Sequence, residues 1–567
     1  MTSPTSPTAA EALLRSLKRQ GVDYLFSNLG SDHPPFLEAL ARARERGDLE
    51  AFPEVVLCPH EFAAVSAAHG YTVATGKPQG VLVHVDVGTL NAGAAMHNAH
   101  RANVPMVVLA GLAPLTERGY PGSRDSSVHY LQDVPDQIEI VEQYCRWTTE
   151  YRIPADPDAT VRRGLERATG TPEGPVYIAA AREALEATDY ATAGRDRAGE
   201  SETTPPAAGD RTLERLSTEL ERADRPVLIT THLGKRPESV PAVVKFAEAT
   251  GTGVIEQRPT SLCFPRDHDL HLGYDPTAVF DEADLLVVAR SDFPWIPSKG
   301  TPSDDTRVVH IDPDPTKPDF PLRDFRADLT VTASPEEVLP TLAERVAPDV
   351  GSDAHAHWTD VSARRRRENE RRLAEDRDEG RLTPAVLSDA LNAVVDESTI
   401  VVDDAVTSKS SVLNYLDLTE PGSYHMKGGS ALGWAPGAAV GVKMAHPEKR
   451  VIDVTGDGAY VFSNPTASAW LAANRGTPTL TVVYNNAGWN AVKNATLSQH
   501  PEGHAAGDRV PESQFDPEMD LSIPARSVDA HTERVTDPNE LERALSDALD
   551  ALSEGTPALL DVRIESV

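Results

Sequence analysis

The chain has 567 residues and a formal net charge of -33, with 87 acidic residues against 54 basic ones. This length exceeds what one hydrophobic core usually organises, so it predicts three or four packed units. The strong negative charge disfavours nucleic acid and anionic membrane surfaces as partners.

Charge and cysteine usage indicate the cellular setting. The acidic residues are spread along the chain, and only 11 of the basic residues are lysine. This pattern is typical of a halophilic protein kept soluble in concentrated salt, although an ordinary acidic enzyme would also show it. Cys58, Cys145 and Cys263 form no C-x-x-C pair, and no apolar stretch is long enough to span a bilayer. We therefore expect a soluble, cytoplasmic protein without disulfides.

Residues 1–186 are predicted to form a first α/β domain with a parallel sheet. Its apolar runs are "VDYLFSN", "GVLVHVDV", "VPMVVLAG" and "GPVYIAA", and Ala-rich helical stretches separate them. Strands that are buried on both faces read as continuous apolar runs of this kind. Residues 187–210, which are rich in Thr, Pro, Gly and charged residues, are predicted to be a linker.

Two more α/β domains with parallel sheets are predicted to follow. The second, residues 211–346, contains "RPVLITT", "GTGVIEQ", "ADLLVVAR" and "TRVVHIDPD"; the third, residues 381–567, contains "TIVVDD", "RVIDVTGD", "TLTVVYNN" and "PALLDVRI". Between them, residues 347–380 carry an Arg-rich run with interleaved Glu and Asp, which favours a solvent-facing connector helix over a nucleic-acid site. The predicted fold is thus three doubly wound α/β domains.

The stretch "VTGDGAYVFSNPTASAWLAANRGTPTLTVVYNN" places polar residues at two strand ends. One apolar run halts at Gly456, Asp457 and Gly458, the next halts at Asn485 and Asn486, and one helix is predicted between them. Ligands of open α/β sheets collect beyond the carboxyl ends of strands, so these residues are expected to face one crevice. Carboxylate and amide oxygens suit Mg²⁺, and glycines let a diphosphate approach the backbone. The pattern predicts a Mg²⁺-diphosphate site, although each half is also a common turn sequence.

This pair of motifs resembles the signature of thiamine diphosphate enzymes, in the group that contains acetolactate synthase, benzoylformate decarboxylase and pyruvate decarboxylase. The three-domain layout is similar too, so the resemblance covers nearly the whole chain. It implies thiamine diphosphate and Mg²⁺ as cofactors, with Asp457, Asn486 and the carbonyl of Gly488 as metal ligands. Within "GGSALGWAPGAAVGVKMAHPEKRVIDVTGDG" it implies that Ser430 supplies a carbonyl to the aminopyrimidine amine. Leu432 matches the aliphatic wedge that bends the cofactor.

In the first domain, "EVVLCPHEFAAVSAAHGYTVATG" places Glu61 just after a strand, in the first turn of a helix. A carboxylate at this position can simply complement the helix dipole. The segment resembles the family's H-E-x-x-A stretch, which implies that Glu61 hydrogen-bonds the pyrimidine ring across a dimer interface and so activates the cofactor. The next histidine lies nine residues after His60, which disfavours a zinc-protease site. The resemblance therefore implies a homodimer or homotetramer with active sites at the subunit interface.

Two further stretches resemble benzoylformate decarboxylase. "FSNLGSDHPPFLEAL" contains Ser31, implied to engage the substrate carboxylate, and "VLVHVDVGTLNAGAAMHNAH" contains His84, implied to relay protons. His84 is expected on a strand that leads into a G-T-x-N-A-G loop, and a purely structural histidine is the alternative. No counterpart of that enzyme's second histidine is found, and the sequence after the Asn pair departs from acetolactate synthases. The expected activity is decarboxylation or carboligation of a small 2-oxo acid.

Two other functions stay open on the sequence. A NAD- or FAD-dependent oxidoreductase could use doubly wound sheets, although no G-x-G-x-x-G follows a strand in the middle domain. A thiamine diphosphate-binding protein without turnover is the second, and the intact Glu61 argues against it.

Overall fold

The computed structural model describes residues 6–190, 204–347, 350–506, 510 and 512–565. Within these residues, three parallel sheets of six strands each follow one another along the chain, with helices packed against them. The predicted fold class of three doubly wound α/β units is therefore confirmed. Residues 191–203 of the predicted linker and 348–349 of the predicted connector lie outside the described residues.

The first sheet contains the strands β1 (Tyr24–Ser27), β2 (Glu54–Leu57), β3 (Gln79–Val83), β4 (Met106–Leu112), β5 (Trp147–Tyr151) and β6 (Pro175–Ala181). Their order is β2-β1-β3-β4-β6-β5. The helices are α1 (Ala9–Arg19), α2 (Pro34–Arg46), α3 (Glu61–Thr75), α4 (Val85–Arg101), α5 (Val128–Leu131), α6 (Pro157–Thr169) and α7 (Arg182–Leu185). Strands β3, β4 and β6 are buried along their whole length, as their continuous apolar runs require.

The second sheet contains β7 (Pro226–Thr230), β8 (Gly253–Glu256), β9 (His271–Gly273), β10 (Leu285–Ala289), β11 (Arg307–Asp312) and β12 (Leu329–Thr332). Their order is β12-β11-β10-β7-β8-β9. The helices are α8 (Asp210–Arg222), α9 (Val240–Thr250) and α10 (Pro335–Arg345). The long helix α11 (Ser352–Asp378) follows, and its exposed Arg and Glu side chains form ion pairs three and four residues apart.

The third sheet contains β13 (Thr399–Asp404), β14 (Tyr424–Met426), β15 (Arg450–Gly456), β16 (Leu480–Asn485), β17 (His531–Val535) and β18 (Ala558–Arg563), in the order β14-β13-β15-β16-β18-β17. The helices are α12 (Pro384–Asn392), α13 (Lys409–Tyr415), α14 (Trp434–Ala445), α15 (Asp457–Phe462), α16 (Pro465–Arg475), α17 (Asn490–Gln499), α18 (Ile523–Arg526) and α19 (Leu541–Ser553). The expectation of one helix between β15 and β16 is wrong. The left-handed Asn464 separates α15 from α16, and Pro465 begins the second helix.

Helices α3 and α14 join the first and third units within the chain. They run side by side so closely that a Cβ atom at Gly70 or Gly441 would overlap the backbone of the other helix. Val440 of α14 and Leu471 of α16 belong to the apolar core of the first sheet. This contact fixes the start of α3 relative to the loop before α14. No helix among the described residues is long and apolar enough to cross a membrane.

Candidate active site

His84 lies between β3 and α4, at the carboxyl edge of the first sheet. The expectation that it sits on a strand leading to a loop is wrong, because β3 ends at Val83 and helix α4 begins at Val85. The G-T-x-N-A-G sequence forms the first turns of α4. As in a regular helical turn, the amide of Gly88 donates to the carbonyl of His84 at 2.7 Å, and Thr89 Oγ1 donates to the carbonyl of Val85 at 2.6 Å.

Asp32 holds the imidazole of His84 from the neighbouring loop. Its side chain is 1 % exposed and accepts a hydrogen bond from Nδ1 of His84, and the amide of Val85 donates to its other oxygen at 3.3 Å. Gly30 and Gly111 make this contact sterically feasible. A Cβ atom at Gly30 would overlap the His84 ring, and one at Gly111 would overlap the Asp32 carboxylate.

Asp32 and His84 are electrostatically coupled. Burial alone would raise the pKa of Asp32, but hydrogen bonds from His33 and His84 hold it well below its ordinary value. The hydrogen bond to Asp32 raises the pKa of His84 against the opposing effect of burial, and the nearby Asp86 and Glu61 carboxylates act in the same direction. Asp32 was not among the residues expected from the sequence. Its signal was an acidic residue between Ser31 and His33, and four residues separate it from the end of the apolar strand β1.

Glu61 is the first residue of α3, whose start is fixed by the side chain of His60 accepting from the amide of Phe62 at 3.1 Å. The Glu61 side chain is 7 % exposed in the single chain, and Asn91 Nδ2 donates to its Oε2 at 3.1 Å. Ser31, in the loop after β1, is exposed. The structure thus brings Glu61, His84 and Ser31 to one edge of the first sheet.

Asp457 lies at the carboxyl end of β15, next to β16 in the third sheet. Its carboxylate accepts from the amides of Gly458 and Gly488, both at 2.9 Å. Burial raises the pKa of Asp457 to about 6, against the two amide hydrogen bonds. A bound cation at this carboxylate would favour its ionised form. Gly456, the last residue of β15, completes the turn into α15.

The two asparagines after β16 have different environments. Asn485 is engaged on both sides: its Nδ2 donates to Asp561 at 2.7 Å and its Oδ1 accepts from the amide of Ala487 at 2.9 Å. Asn486 Oδ1 is buried and has no hydrogen-bond partner among the described residues. Ala487 adopts a left-handed conformation that turns Gly488 back toward Asp457. An unpaired buried amide oxygen beside a buried carboxylate is a donor set that suits Mg²⁺.

The loop after β13 forms the remaining side of this crevice and was missed by the sequence analysis. Asn486 Nδ2 lies 3.5 Å from Thr407 Oγ1, and Ser408 and Lys409 follow it at the start of α13. Strand order reverses between β13 and β15, and such switch points open a crevice for ligands at their carboxyl ends. The signal was the hydroxyl pair Thr407-Ser408, which follows the apolar run "TIVVDD" after two residues. Hydroxyl and backbone N–H groups here can hold a diphosphate, whereas the space beside Gly458 is taken up by the ring of Trp489.

The loop that carries Ser430 and Leu432 is anchored from both sides. Asn98 of α4 exchanges two hydrogen bonds with the backbone of Ala431, at 2.9 and 3.0 Å. The amide of Ser430 donates to His97 Nε2 at 3.2 Å. The buried carboxylate of Asp404, at the end of β13, accepts from the amides of Gly433 and Trp434 at 2.8 and 2.9 Å. Leu432 therefore occupies a rigid position between the first and third sheets.

Comparison with models of known protein families identifies the family of this chain. Three family models match the chain: the N-terminal binding domain of thiamine pyrophosphate enzymes over residues 7–140, their central domain over 213–342 and their C-terminal binding domain over 404–562. The chain belongs to the thiamine pyrophosphate enzyme family. This confirms the resemblance found in the sequence, and the C-terminal model includes Asp457, Asn486 and Thr407.

Individual thiamine pyrophosphate enzymes resemble the chain over its full length. Benzoylformate decarboxylase from Pseudomonas aeruginosa is 26 % identical over 99 % of both chains. Acetolactate synthase large subunit IlvG from Mycobacterium tuberculosis is 26 % identical over 99 % of this chain and 97 % of its own. Among solved structures, the thiamine diphosphate-dependent 4-hydroxybenzoylformate decarboxylase from Rhodococcus jostii RHA1 has a TM-score of 0.80 at 21 % identity and covers 99 % of each chain, which shows the fold.

Proposed function

We propose that the protein is a Mg²⁺- and thiamine diphosphate-dependent enzyme that decarboxylates a small 2-oxo acid. The observation that carries this proposal is the joint placement of Glu61 and the Asp32-bound imidazole of His84 at one edge of the first sheet. It supplies one fixed carboxyl group and one imidazole whose pKa is raised by its hydrogen bond to Asp32, and both groups suit proton transfer at a bound substrate. Thiamine diphosphate supplies the nucleophilic carbon and the electron sink needed for release of CO₂.

We assign the metal and diphosphate to the crevice of the third sheet. Asp457 and Asn486 would offer side-chain oxygens to Mg²⁺, and Gly488 its carbonyl. The support is the buried, unpaired Oδ1 of Asn486 and the burial of the Asp457 carboxylate. Thr407 borders the same crevice and would contact the diphosphate, and Gly458 would lie beside it.

The remaining assignments concern the organic part of the cofactor and the substrate. Glu61 would donate a hydrogen bond to the pyrimidine ring, while Leu432 would support the cofactor's bend and Ser430 would accept from its amine. Ser31 would bind the substrate carboxylate with its hydroxyl. His84 would donate the proton from Nε2, because Asp32 already accepts the hydrogen bond from Nδ1.

We further propose a homodimer or homotetramer in which two chains complete each active site. Exposed apolar side chains flank both halves of the site in the single chain. Leu90, near Glu61, is 60 % exposed, and Phe462, on the helix that begins at Asp457, is 53 % exposed. A second copy covering these side chains would bury them and exclude water from the reaction.

The oxidoreductase alternative meets a specific obstacle in the middle domain. The switch point of its sheet lies between β7 and β10, where a nucleotide would bind. There, Lys317 forms ion pairs with Asp292 at 3.2 Å and Asp312 at 2.9 Å, and His232 Nε2 lies 2.9 Å from Asp292. We infer that these side chains fill the crevice. Binding of NAD or FAD by the purified protein would restore the oxidoreductase hypothesis.

The direct test is a screen for CO₂ release and carboligation with thiamine diphosphate and Mg²⁺. The substrates are pyruvate, 2-oxobutyrate, branched-chain 2-oxo acids and benzoylformate, each assayed at low and high KCl because the acidic composition also suits a halophilic, cytoplasmic enzyme. We expect turnover of at least one acid. Cofactor binding without turnover of any acid would favour the non-catalytic alternative.

A further inference from the structure

A second cavity lies away from the crevice of the third sheet. It has a volume of about 320 Å³ and lies between the middle domain, helix α11 and the third unit. Its wall contains Arg266 from the segment after β8, Arg365 and Arg366 from α11, and the side chains of Tyr274 and Leu373. Small-molecule pockets have volumes of roughly 300–1,000 Å³, so this cavity is large enough for a metabolite.

Arg266 is a buried cation with free hydrogen-bond donors. Its side chain is 4 % exposed, and its guanidinium lies 4.5 Å from the ring centroid of Tyr424. Nη1 donates to the carbonyl of Leu416 at 3.1 Å. Its Nε and Nη2 are buried without a hydrogen-bond partner among the described residues. A buried guanidinium normally has an acceptor on each edge, so Arg266 is under-satisfied at the wall of this cavity.

The two arginines of α11 that line the cavity, Arg365 and Arg366, donate to neutral acceptors. Arg365 Nη1 donates to Asn414 Oδ1 at 3.0 Å, and its Nη2 lies 3.4 Å from His271 Nδ1. Its Nε is buried and unpaired within the described part of the chain. Arg366 Nη2 donates to the backbone carbonyls of Asp267 and His268, at 2.6 and 2.8 Å. Neither side chain forms an ion pair with a carboxylate among the described residues, although Asp417 and Glu256 act on Arg365 from a longer distance.

The carboxylates that line the cavity are engaged elsewhere or exposed. Asp389 forms an ion pair with Arg377, and Asp417, which is exposed, accepts from Asn392 Nδ2 at 3.2 Å. The other two acidic residues in the lining, Asp267 and Glu370, are also exposed. Most acids that line the cavity thus lie toward solvent, while Arg266 is buried, where electrostatic interactions are less screened.

We propose that this cavity binds a small anionic metabolite through a carboxylate or phosphate group held between Arg266 and Arg365. Planar guanidinium groups match the oxygen spacing of both anions. Tyr274 and Leu373 would contact the less polar part of the ligand. The proposal does not depend on the activity assigned to the other site, since none of that site's residues lines this cavity.

Calorimetric titration tests the proposal. The protein is saturated with thiamine diphosphate and Mg²⁺, so that phosphate does not enter the diphosphate crevice, and is then titrated with inorganic phosphate or with succinate at constant ionic strength. We expect saturable binding of one or both anions, with one site per chain. Binding of phosphate alone or succinate alone identifies the group recognised. Arg365→Gln should weaken this binding at least about tenfold.

Matched variants and a structural readout complete the test. Arg372→Gln changes an exposed arginine of the same helix that pairs with Glu368, and it should bind the anion as the wild type does. Arg366→Gln replaces Arg365→Gln if the latter does not fold. Crystals soaked in selenate should show an anomalous peak between Arg266 and Arg365. Absence of saturable binding, equal binding by the arginine variants and the wild type, or a selenate peak elsewhere would overturn the proposal.

Discussion

The buried carboxylate of Asp32 accepts a hydrogen bond from Nδ1 of His84, and two glycines leave just enough room for this contact. Because Nδ1 carries a proton, the imidazole is oriented with Nε2 away from Asp32. The charged carboxylate also stabilises the imidazolium. Asp32 therefore sets both the orientation and the charge of the proposed proton donor.

Replacing Asp32 should change the titration of His84. In Asp32→Asn the hydrogen bond becomes neutral, so the pKa of His84 should fall, and the alkaline limb of the kcat/KM profile should move to lower pH. The imidazole titration can be followed by NMR in protein without cofactor. Asp86→Asn, which removes a nearby charge but no bond to His84, should shift it less. An unchanged titration in Asp32→Asn would show that the hydrogen bond does not control the charge of His84.

Glu61→Gln should abolish most turnover. The amide keeps the size of the side chain and its contact with Asn91, but it cannot share a proton with the pyrimidine ring. We expect kcat to fall by about 10²–10⁴-fold, the range of general acid–base catalysis. Affinity for thiamine diphosphate, measured by calorimetry, should stay near the wild-type value. A variant with full activity would contradict the role of Glu61, and the exposed Glu50→Gln serves as the control.

Asn486→Ala should weaken Mg²⁺-dependent cofactor binding. The change removes the unpaired Oδ1, so affinity for thiamine diphosphate in the presence of Mg²⁺ should fall at least about tenfold. With EDTA in place of Mg²⁺, wild type and variant should bind the cofactor equally weakly. If the variant loses the same affinity with and without the metal, Asn486 contacts the cofactor and not the ion.

Shared active sites can be tested by complementation. Glu61→Gln and Asp457→Asn should each be inactive. A heterodimer of one chain of each variant can be purified through two different tags. If each site uses Glu61 from one chain and Asp457 from the other, this heterodimer should recover about half of the wild-type activity. A heterodimer without activity would place both residues in a site formed within one chain. Light scattering at assay concentrations gives the oligomeric state.

Asp453, a buried residue on β15, should make the free energy of unfolding depend on pH. Burial raises the pKa of Asp453 to about 7, against a hydrogen bond from Thr481 at 2.8 Å, and its Oδ2 has no partner among the described residues. The folded protein therefore keeps this proton over a range, roughly pH 4 to 7, in which the unfolded chain has lost it. Stability should fall as pH rises through that window.

Asp453→Asn should remove the loss of stability that ionisation of Asp453 in the unfolded chain causes. At pH 8 the variant should exceed the wild type by on the order of 2–4 kcal/mol in free energy of unfolding, and the difference should shrink toward pH 5. The melting temperatures of both proteins at the two pH values give the measurement. Asp269→Asn, at an exposed position, should show no such pH dependence. Equal melting temperatures of Asp453→Asn and wild type at pH 8 would refute the assignment.

The local sequence determined the central strands and the metal motif. Strands β3, β4, β10, β15 and β16 are buried on both faces, so each is a continuous apolar run that can be recognised without knowing its neighbours. The strands that the pattern missed are β5, β9, β12, β14 and β17, and all five lie at the edges of their sheets. These strands are short or half-exposed, so their sequences lack a continuous apolar run, and the tertiary structure was needed to define them; β2, also at an edge, was recognised before Glu61.

The same distinction applies to the sites. Gly456, Asp457, Gly458 and Asn486 follow apolar strands, and their spacing predicted the crevice. The contact of Asp32 with His84 joins residues 52 positions apart. The start of α4 at Val85 was hidden because the apolar run "GVLVHVDV" continues from the strand into the helix. The cavity between Arg266 and Arg365 exists only where the middle domain, helix α11 and the third unit meet. Local periodicity reports burial, whereas such contacts depend on how distant segments pack.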